Sequence, residues 1–227
     1  MFNPFKINPN ADVQKIDLPY FEKYYWQIDD FYIDPKAVNT FLDTECEYKL
    51  FKEDEPGLNG VKFEDKRHEG HHKGLEAVTF ALMEVCKANK CRDEEDLIIT
   101  NTFKVLDPDW GKQYKDNWWW PHLDWGWTAL IYLNEEPCEG TNLYHKPGMP
   151  KNAVHDGIDK LIRQGAAKHN EYVEPWTTRD NWILGANIPS KFNRAIIFPS
   201  KIYHGMAIES DRWTNDTRRN QVVFFEY

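Results

Sequence analysis

The stretch that most restricts the fold is residues 117–136, NWWWPHLDWGWTALIYLNEE. Side chains on a strand alternate between two faces. Read as a regular strand, Leu123, Trp125, Trp127, Ala129, Ile131 and Leu133 share one face, wholly apolar, and need a layer to pack against. His122, Asp124, Gly126, Thr128, Leu130 and Tyr132 share the other, which mixes apolar and polar groups. Polar side chains are costly to bury without partners, and a ligand-holding cavity removes that cost. The stretch therefore calls for a layered β structure with a site on one side of a strand.

An imidazole and a carboxylate two apart on one face can both reach a single divalent ion. A third ligand is expected from another strand. NRAIIFPSKIYHGMAIE supplies one, since His204 lies between two apolar, strand-like runs. Two histidines and one carboxylate on one face of an octahedron leave three positions open, the arrangement of non-haem iron(II) oxygenases. Downstream, NDTRRNQVVFFEY opens a terminal strand with Arg218 and Arg219. A guanidinium fork matches a carboxylate bidentately, so an arginine there can anchor the far carboxylate of a dicarboxylate. Asn220 shares a face with Arg218 and favours it as the inward residue; Glu226, on the same face, weighs against it.

With these residues in view, the chain resembles the iron(II)- and 2-oxoglutarate-dependent dioxygenases. HLDWGWTALIYLNEEPCEGTNLY is similar to the prolyl-hydroxylase branch, in which His-x-Asp precedes a strand ending Tyr-Leu-Asn and a Gly-rich turn. Arg218-x-Asn220 is a pattern also seen in the nucleic-acid-demethylating branch, and KFNRAIIFPSKIYHGM resembles an uncharacterised group of these oxygenases. The resemblance covers residues 97–146 and 190–227. It implies a double-stranded β-helix (jelly roll, cupin-like), mainly β with flanking helices. It implies iron(II) held by His122, Asp124 and His204, with 2-oxoglutarate as cosubstrate and dioxygen as oxidant. Thr128 and Tyr132 match positions lining the 2-oxoglutarate pocket, Arg218 matches the anchoring arginine with Asn220 beside it, and Arg219 is the alternative anchor. The implied activity is hydroxylation with release of succinate and carbon dioxide. A prolyl side chain in a protein, an amino acid and a small metabolite all remain open as substrate.

The rest of the chain fits one domain spanning 1–227, with amino-terminal helical support over 1–96 and an insertion over 147–190. A strand is expected at the start of DDFYIDPKAVNTFLDTE, then a helix with Asp34 as N-cap and Pro35 at its first position. Residues 48–73 read as a polar, turn-rich connection, and a second helix is expected from Leu75 to Lys90. DLIITNTFKVLD is a β-branched strand, and further strands are expected near 125–134, 140–145, 193–198, 202–208 and 218–227. The insertion carries a helix near 156–172 and reads equally as a lid or as a decorative excursion.

Two rival functions follow from other features. HEGHH at 68–72 satisfies H-E-x-x-H, which on a helix makes a zinc peptidase of His68, Glu69 and His72. Gly70 inside it, Gly74 after it and the lack of an apolar face make it a solvated loop instead. The second rival is a β-helix that binds a metal or ligand without turnover. Trp118, Trp119, Trp120, Trp125 and Trp127 read mainly as packing, with one or two as a platform beside His122, and Tyr203 as packing.

The formal net charge of −9 opposes a phosphate backbone, so a small-molecule or peptide partner is expected and nucleic acid is not. Cys46, Cys86, Cys91 and Cys138 show no paired spacing and read as reduced thiols. The first ten residues contain no apolar signal core, Asn215-Asp216-Thr217 then reads as a chance sequon, and no apolar run is long enough for a membrane span. Together these predict a cytoplasmic protein. Oligomeric state leaves no signal in the sequence.

Overall fold

A computed structural model of the chain describes residues 3–45, 49–53, 63–68, 73–86, 100–106, 121, 123–124, 126–136, 139–145, 147, 182–207 and 211–225. Among the described residues the order is β1 Asp12–Leu18, β2 Lys23–Asp29, α1 Pro35–Thr44, β3 Lys49–Glu53, β4 Phe63–His68, α2 Lys73–Cys86, β5 Thr100–Leu106, β6 Trp127–Tyr132, β7 Thr141–His145, β8 Ile183–Ile188, β9 Ala195–Pro199, β10 Tyr203–Met206 and β11 Arg218–Phe225. A 3-10 turn, Pro19–Phe21, joins β1 to β2, and a helical turn, Arg212–Asn215, precedes β11.

The strands form two antiparallel sheets. The large one has the order β1-β2-β9-β6-β11-β5-β4-β3 and the small one β10-β7-β8. After β6 the chain passes to the small sheet for β7 and β8, returns for β9, crosses again for β10 and returns for β11. Strands distant in sequence are thereby brought side by side, with β6 between β9 and β11.

Each face of the large sheet has its own core. On one face Val38 and Leu42 of α1 and Leu75, Val78, Leu82 and Met83 of α2 meet Trp127, Ala129 and Ile131 of β6, Ile197 of β9, and Val223 and Phe225 of β11. The α2 positions recur at helical spacing, which turns one stripe onto the sheet. On the opposite face Leu130, Tyr132, Ile196, Phe198 and Val222 meet Leu143 of β7, Ile188 of β8, Ile202, and Leu18 and Phe21 from the first hairpin. The chain is thus a helix layer, a large sheet and a small sheet. The β6 alternation expected from Trp127 onward is present, and both of its faces are buried.

α1 begins as its sequence dictates. The Asp34 carboxylate accepts the Ala37 amide at 3.0 Å, and Pro35 occupies a position whose N–H has no helical partner. α2 runs from Lys73 to Cys86, two residues earlier at its start than expected. Four expectations need correction. The amino-terminal part is not helical support alone, because it also supplies β1 to β4. The strand expected to open at Asp29 lies earlier, at Lys23–Asp29. Residues 49–53 and 63–68 of the supposed connection are β3 and β4, paired with each other, and β4 also pairs with β5. The carboxyl end of the supposed insertion is β8, a strand of the small sheet paired with β7. The helix expected near 156–172 lies outside the described residues. No helix among the described residues is long and apolar enough to cross a membrane.

Candidate metal and cosubstrate site

Asp124 does not sit on the same regular strand as Thr128 and Tyr132. Gly126 has φ 62°, the left-handed region that glycine tolerates, and it breaks the extended run before β6 starts at Trp127. Ser200, fully buried in the turn after β9, holds both sides of that break. Its carbonyl accepts the Asp124 amide at 3.1 Å, and its own amide donates to the Gly126 carbonyl at 3.1 Å. Its hydroxyl lies 2.7 Å from the Thr128 hydroxyl. The break matters because it lets Asp124 leave the large sheet and approach β10 of the small one.

There Asp124 meets His204, whose Nε2 stands 3.1 Å from the carboxylate Oδ2. The His204 side chain is 5% exposed and that of Asp124 25%. His204 Nδ1 donates to the Ile202 carbonyl at 2.8 Å, and the ring packs edge-on against Phe198 with centroids 4.8 Å apart. With its Nδ1 proton committed, a neutral imidazole turns an electron pair at Nε2 toward a carboxylate oxygen. A proton on Nε2 satisfies that arrangement by making the ring cationic; a shared cation satisfies it equally. Among the described residues no group of three or more His, Cys, Asp or Glu is placed to hold a metal ion, but the spacing of these two atoms is compatible with two ligands of one divalent ion. Two ligand atoms at right angles, each with a bond of about 2.1 Å, lie about 3 Å apart, and a ligating histidine ordinarily anchors its other ring nitrogen on a carbonyl. His122 lies outside the described residues, and so do Trp118, Trp119, Trp120 and Trp125.

The two arginines diverge. On β11, Arg218, Asn220, Val222 and Phe224 share the face toward the small sheet, where Val222 and Phe224 join the inter-sheet core. Arg218 Nη1 donates to Asn220 Oδ1 at 2.9 Å, and Asn220 is buried at 3% exposure. Arg219 points the other way, toward the helix layer, and its Nη1 pairs with Asp43 Oδ1 of α1 at 2.8 Å. Arg219, the alternative anchor, is therefore on the wrong side of the sheet for this site.

Tyr132 and Thr128 face the small sheet, as their alternation requires, but their hydroxyls already have protein partners. The Tyr132 hydroxyl lies 2.8 Å from Thr141 Oγ1 on β7 and ties the two sheets together. Tyr203 packs on the outer face of β10 with Tyr144, Trp182 and Leu123, and burial pushes its phenol up to about 12. His68 is the last residue of strand β4, opposite Phe103, so the H-E-x-x-H stretch does not begin on a helix; residues 69–72 lie outside the described residues.

Two residues escaped the sequence reading. Ser200 was hidden because its role is to hold a backbone break far away in sequence. Asn134 was visible only as the end of Tyr-Leu-Asn. Its Nδ2 donates to the Thr217 carbonyl at 2.7 Å and its Oδ1 accepts the Arg219 amide at 2.8 Å, one on each side of Arg218.

Residues 114–220 match the model of a family of unknown function, DUF6445. No curated protein matches the sequence. Among solved structures, the chain is similar to a 2OG-Fe(II) oxygenase family oxidoreductase from Burkholderia pseudomallei, at 9% identity and TM-score 0.46 over 89% of this chain and 84% of that one. It is also similar to the non-heme alpha ketoglutarate dependent epimerase SnoN from nogalamycin biosynthesis, at 12% identity and TM-score 0.49 over 88% and 76%. A third is EvdO2 from Micromonospora carbonacea var. aurantiaca complexed with 2-oxoglutarate, at 16% identity and TM-score 0.45 over 96% and 94%.

Proposed function

We propose that this chain is an iron(II)- and 2-oxoglutarate-dependent oxygenase that hydroxylates a small-molecule or peptide substrate. The observation that carries the reading is the contact of Asp124, in the segment before β6, with His204 of β10 in the small sheet, with the second nitrogen of His204 held on a carbonyl. The alternation of β6 to β11 between two sheets supports a double-stranded β-helix as the frame.

In this reading His122, Asp124 and His204 hold the metal, with the Ile202 carbonyl fixing the ring of His204. Iron(II) with 2-oxoglutarate and dioxygen supplies the oxidising power for C–H hydroxylation, with succinate and carbon dioxide released. The protein's own residues bind and orient. Arg218, steadied by Asn220, receives the distal carboxylate through its planar fork. Leu130, Val222 and Leu143 line the inter-sheet layer and exclude water from it. Thr128 and Tyr132 brace the walls through Ser200 and Thr141. The prolyl-hydroxylase-like branch and the identity of the substrate belong to the same proposal; a protein prolyl side chain, an amino acid and a small metabolite are its candidates.

Anaerobic addition of Fe(II) and 2-oxoglutarate to the full chain should give a weak visible charge-transfer band, and air should then yield succinate without added substrate. Asp124→Ala and His204→Ala should abolish the band, as should His122→Ala, while His68→Ala should leave it intact. A band without succinate would identify a non-catalytic binder. No band in the wild-type chain would sink the reading.

A further inference from the structure

We infer that Asn134 is a positioning residue that fixes which of two adjacent arginines faces the inter-sheet space; this rests on Arg218 being the 2-oxoglutarate anchor. The paired register of β11 with β6 ends at Asn220 opposite Tyr132. One more backbone bond follows, from the Leu133 amide to the Arg219 carbonyl at 3.1 Å. Beyond it, the Asn134 carboxamide takes over. It donates to the Thr217 carbonyl at 2.7 Å and accepts from the Arg219 amide at 2.8 Å, so both backbone groups flanking Arg218 are held by one side chain.

This clamp bears on function because of what a slip would do. Shifting a strand by one residue sends every side chain to the other face. With arginines at both 218 and 219, a slip at this end would bring Arg219 inward and turn Arg218 out, keeping the charge while misplacing the fork. On its other edge β11 stays in register with β5, Arg218 opposite Leu106 and Arg219 opposite Val105, so Asn134 supplies the hold on the β6 edge, where the ladder has already ended. Asn134 is itself placed by α1, since Asn39 Nδ2 donates to the neighbouring Leu133 carbonyl at 3.0 Å. Arg219 is drawn to the helix side by Asp43 at 2.8 Å, which adds to the same choice. A carboxamide suits this clamp, because donor and acceptor are both needed at fixed spacing. Aspartate offers no donor and serine no matching reach.

The test compares two keto acids on the Fe(II)-loaded chain under anaerobic conditions: 2-oxoglutarate, and 2-oxopentanoate, which lacks the distal carboxylate. Asn134→Ala should weaken 2-oxoglutarate binding about tenfold, as loss of a supporting partner commonly does, and leave 2-oxopentanoate and Fe(II) affinity unchanged. Hydrogen exchange at the Arg219 amide should quicken in the same variant. Asn134→Asp, of nearly the same shape but without the donor, should show the same selectivity to a smaller degree and covers the case in which the alanine variant fails to fold. Equal weakening of both keto acids, or of neither, would overturn the assignment. A wild-type chain that binds Fe(II) but not 2-oxoglutarate would instead overturn the oxygenase reading, and this inference with it.

Discussion

Adjacent arginines of the same charge have different environments here, and that difference makes a direct comparison possible. Arg218 lies against buried Asn220 on the inter-sheet face, while Arg219 pairs across the helix layer with Asp43, whose side chain is 55% exposed. A pair so open to water contributes little, about 0.2–1 kcal/mol. Arg219→Ala should therefore lower unfolding free energy by no more than about 1 kcal/mol and leave 2-oxoglutarate affinity within about twofold. Arg218→Ala should weaken that affinity by about a hundredfold, the scale set by losing a charged bidentate partner worth about 3 kcal/mol. Calorimetric titration of both variants decides the matter, and a reversed order would return Arg219 to the site. The sequence alone placed Asn220 on the same face as Arg218, and the hydrogen bond between them shows that shared face.

At the scale of elements, Gly126 controls the approach of Asp124. Its φ of 62° costs a residue with a Cβ about 1–2 kcal/mol. Gly126→Ala should lose about that much stability, and it should also weaken Fe(II) binding, because relief of the strain straightens the backbone that Ser200 holds bent. A variant that loses stability with metal affinity unchanged would show that the bend does not place Asp124. The same residue ends the regular alternation, which among the described residues holds from Trp127 to Tyr132. Elements with a buried face were legible: β6, β9 and β11 alternate or run apolar, and α1 carries its cap and proline in the sequence. The strands that escaped are mostly at sheet edges. β1 and β3 end the large sheet, β4 lies beside β3, and β8 ends the small sheet. β1 is exposed at most positions, and FEDKRH of β4 has one apolar residue. Charge on an edge strand such as β1 keeps the edge from pairing with other chains, and in β1 and β4 alike it erases the period by which a strand is recognised.

For the molecule as a whole, the joint between the first hairpin and the rest of the large sheet is electrostatic as well as apolar. β2 pairs with β9 over only three positions, Trp26 to Ile28. Beside that short ladder, Asp29 receives Arg194 Nε at 2.6 Å and Nη2 at 3.0 Å, and Lys191 at 3.1 Å. The Arg194 hydrogen bonds hold the Asp29 carboxyl below its ordinary value, with Lys191 adding to the effect and burial opposing it. A carboxyl depressed in the folded chain stabilises fully above its unfolded value of about 3.9 and loses that contribution as pH falls through the folded value. Asp29→Asn should thus be less stable than the wild type at pH 7 by about 1–2 kcal/mol, a figure between exposed and buried pairs. The gap should narrow steadily in urea unfolding below about pH 4, where the wild-type carboxyl takes up its proton. A gap that stays constant from neutral pH into that acid range would mean that packing, and not this charge, joins the hairpin to the sheet. Because Leu18 and Phe21 of the same hairpin reach the inter-sheet core beside Val222 and Leu143, loosening the joint should also raise the 2-oxoglutarate concentration needed for half-saturation, and so link acid stability to the site.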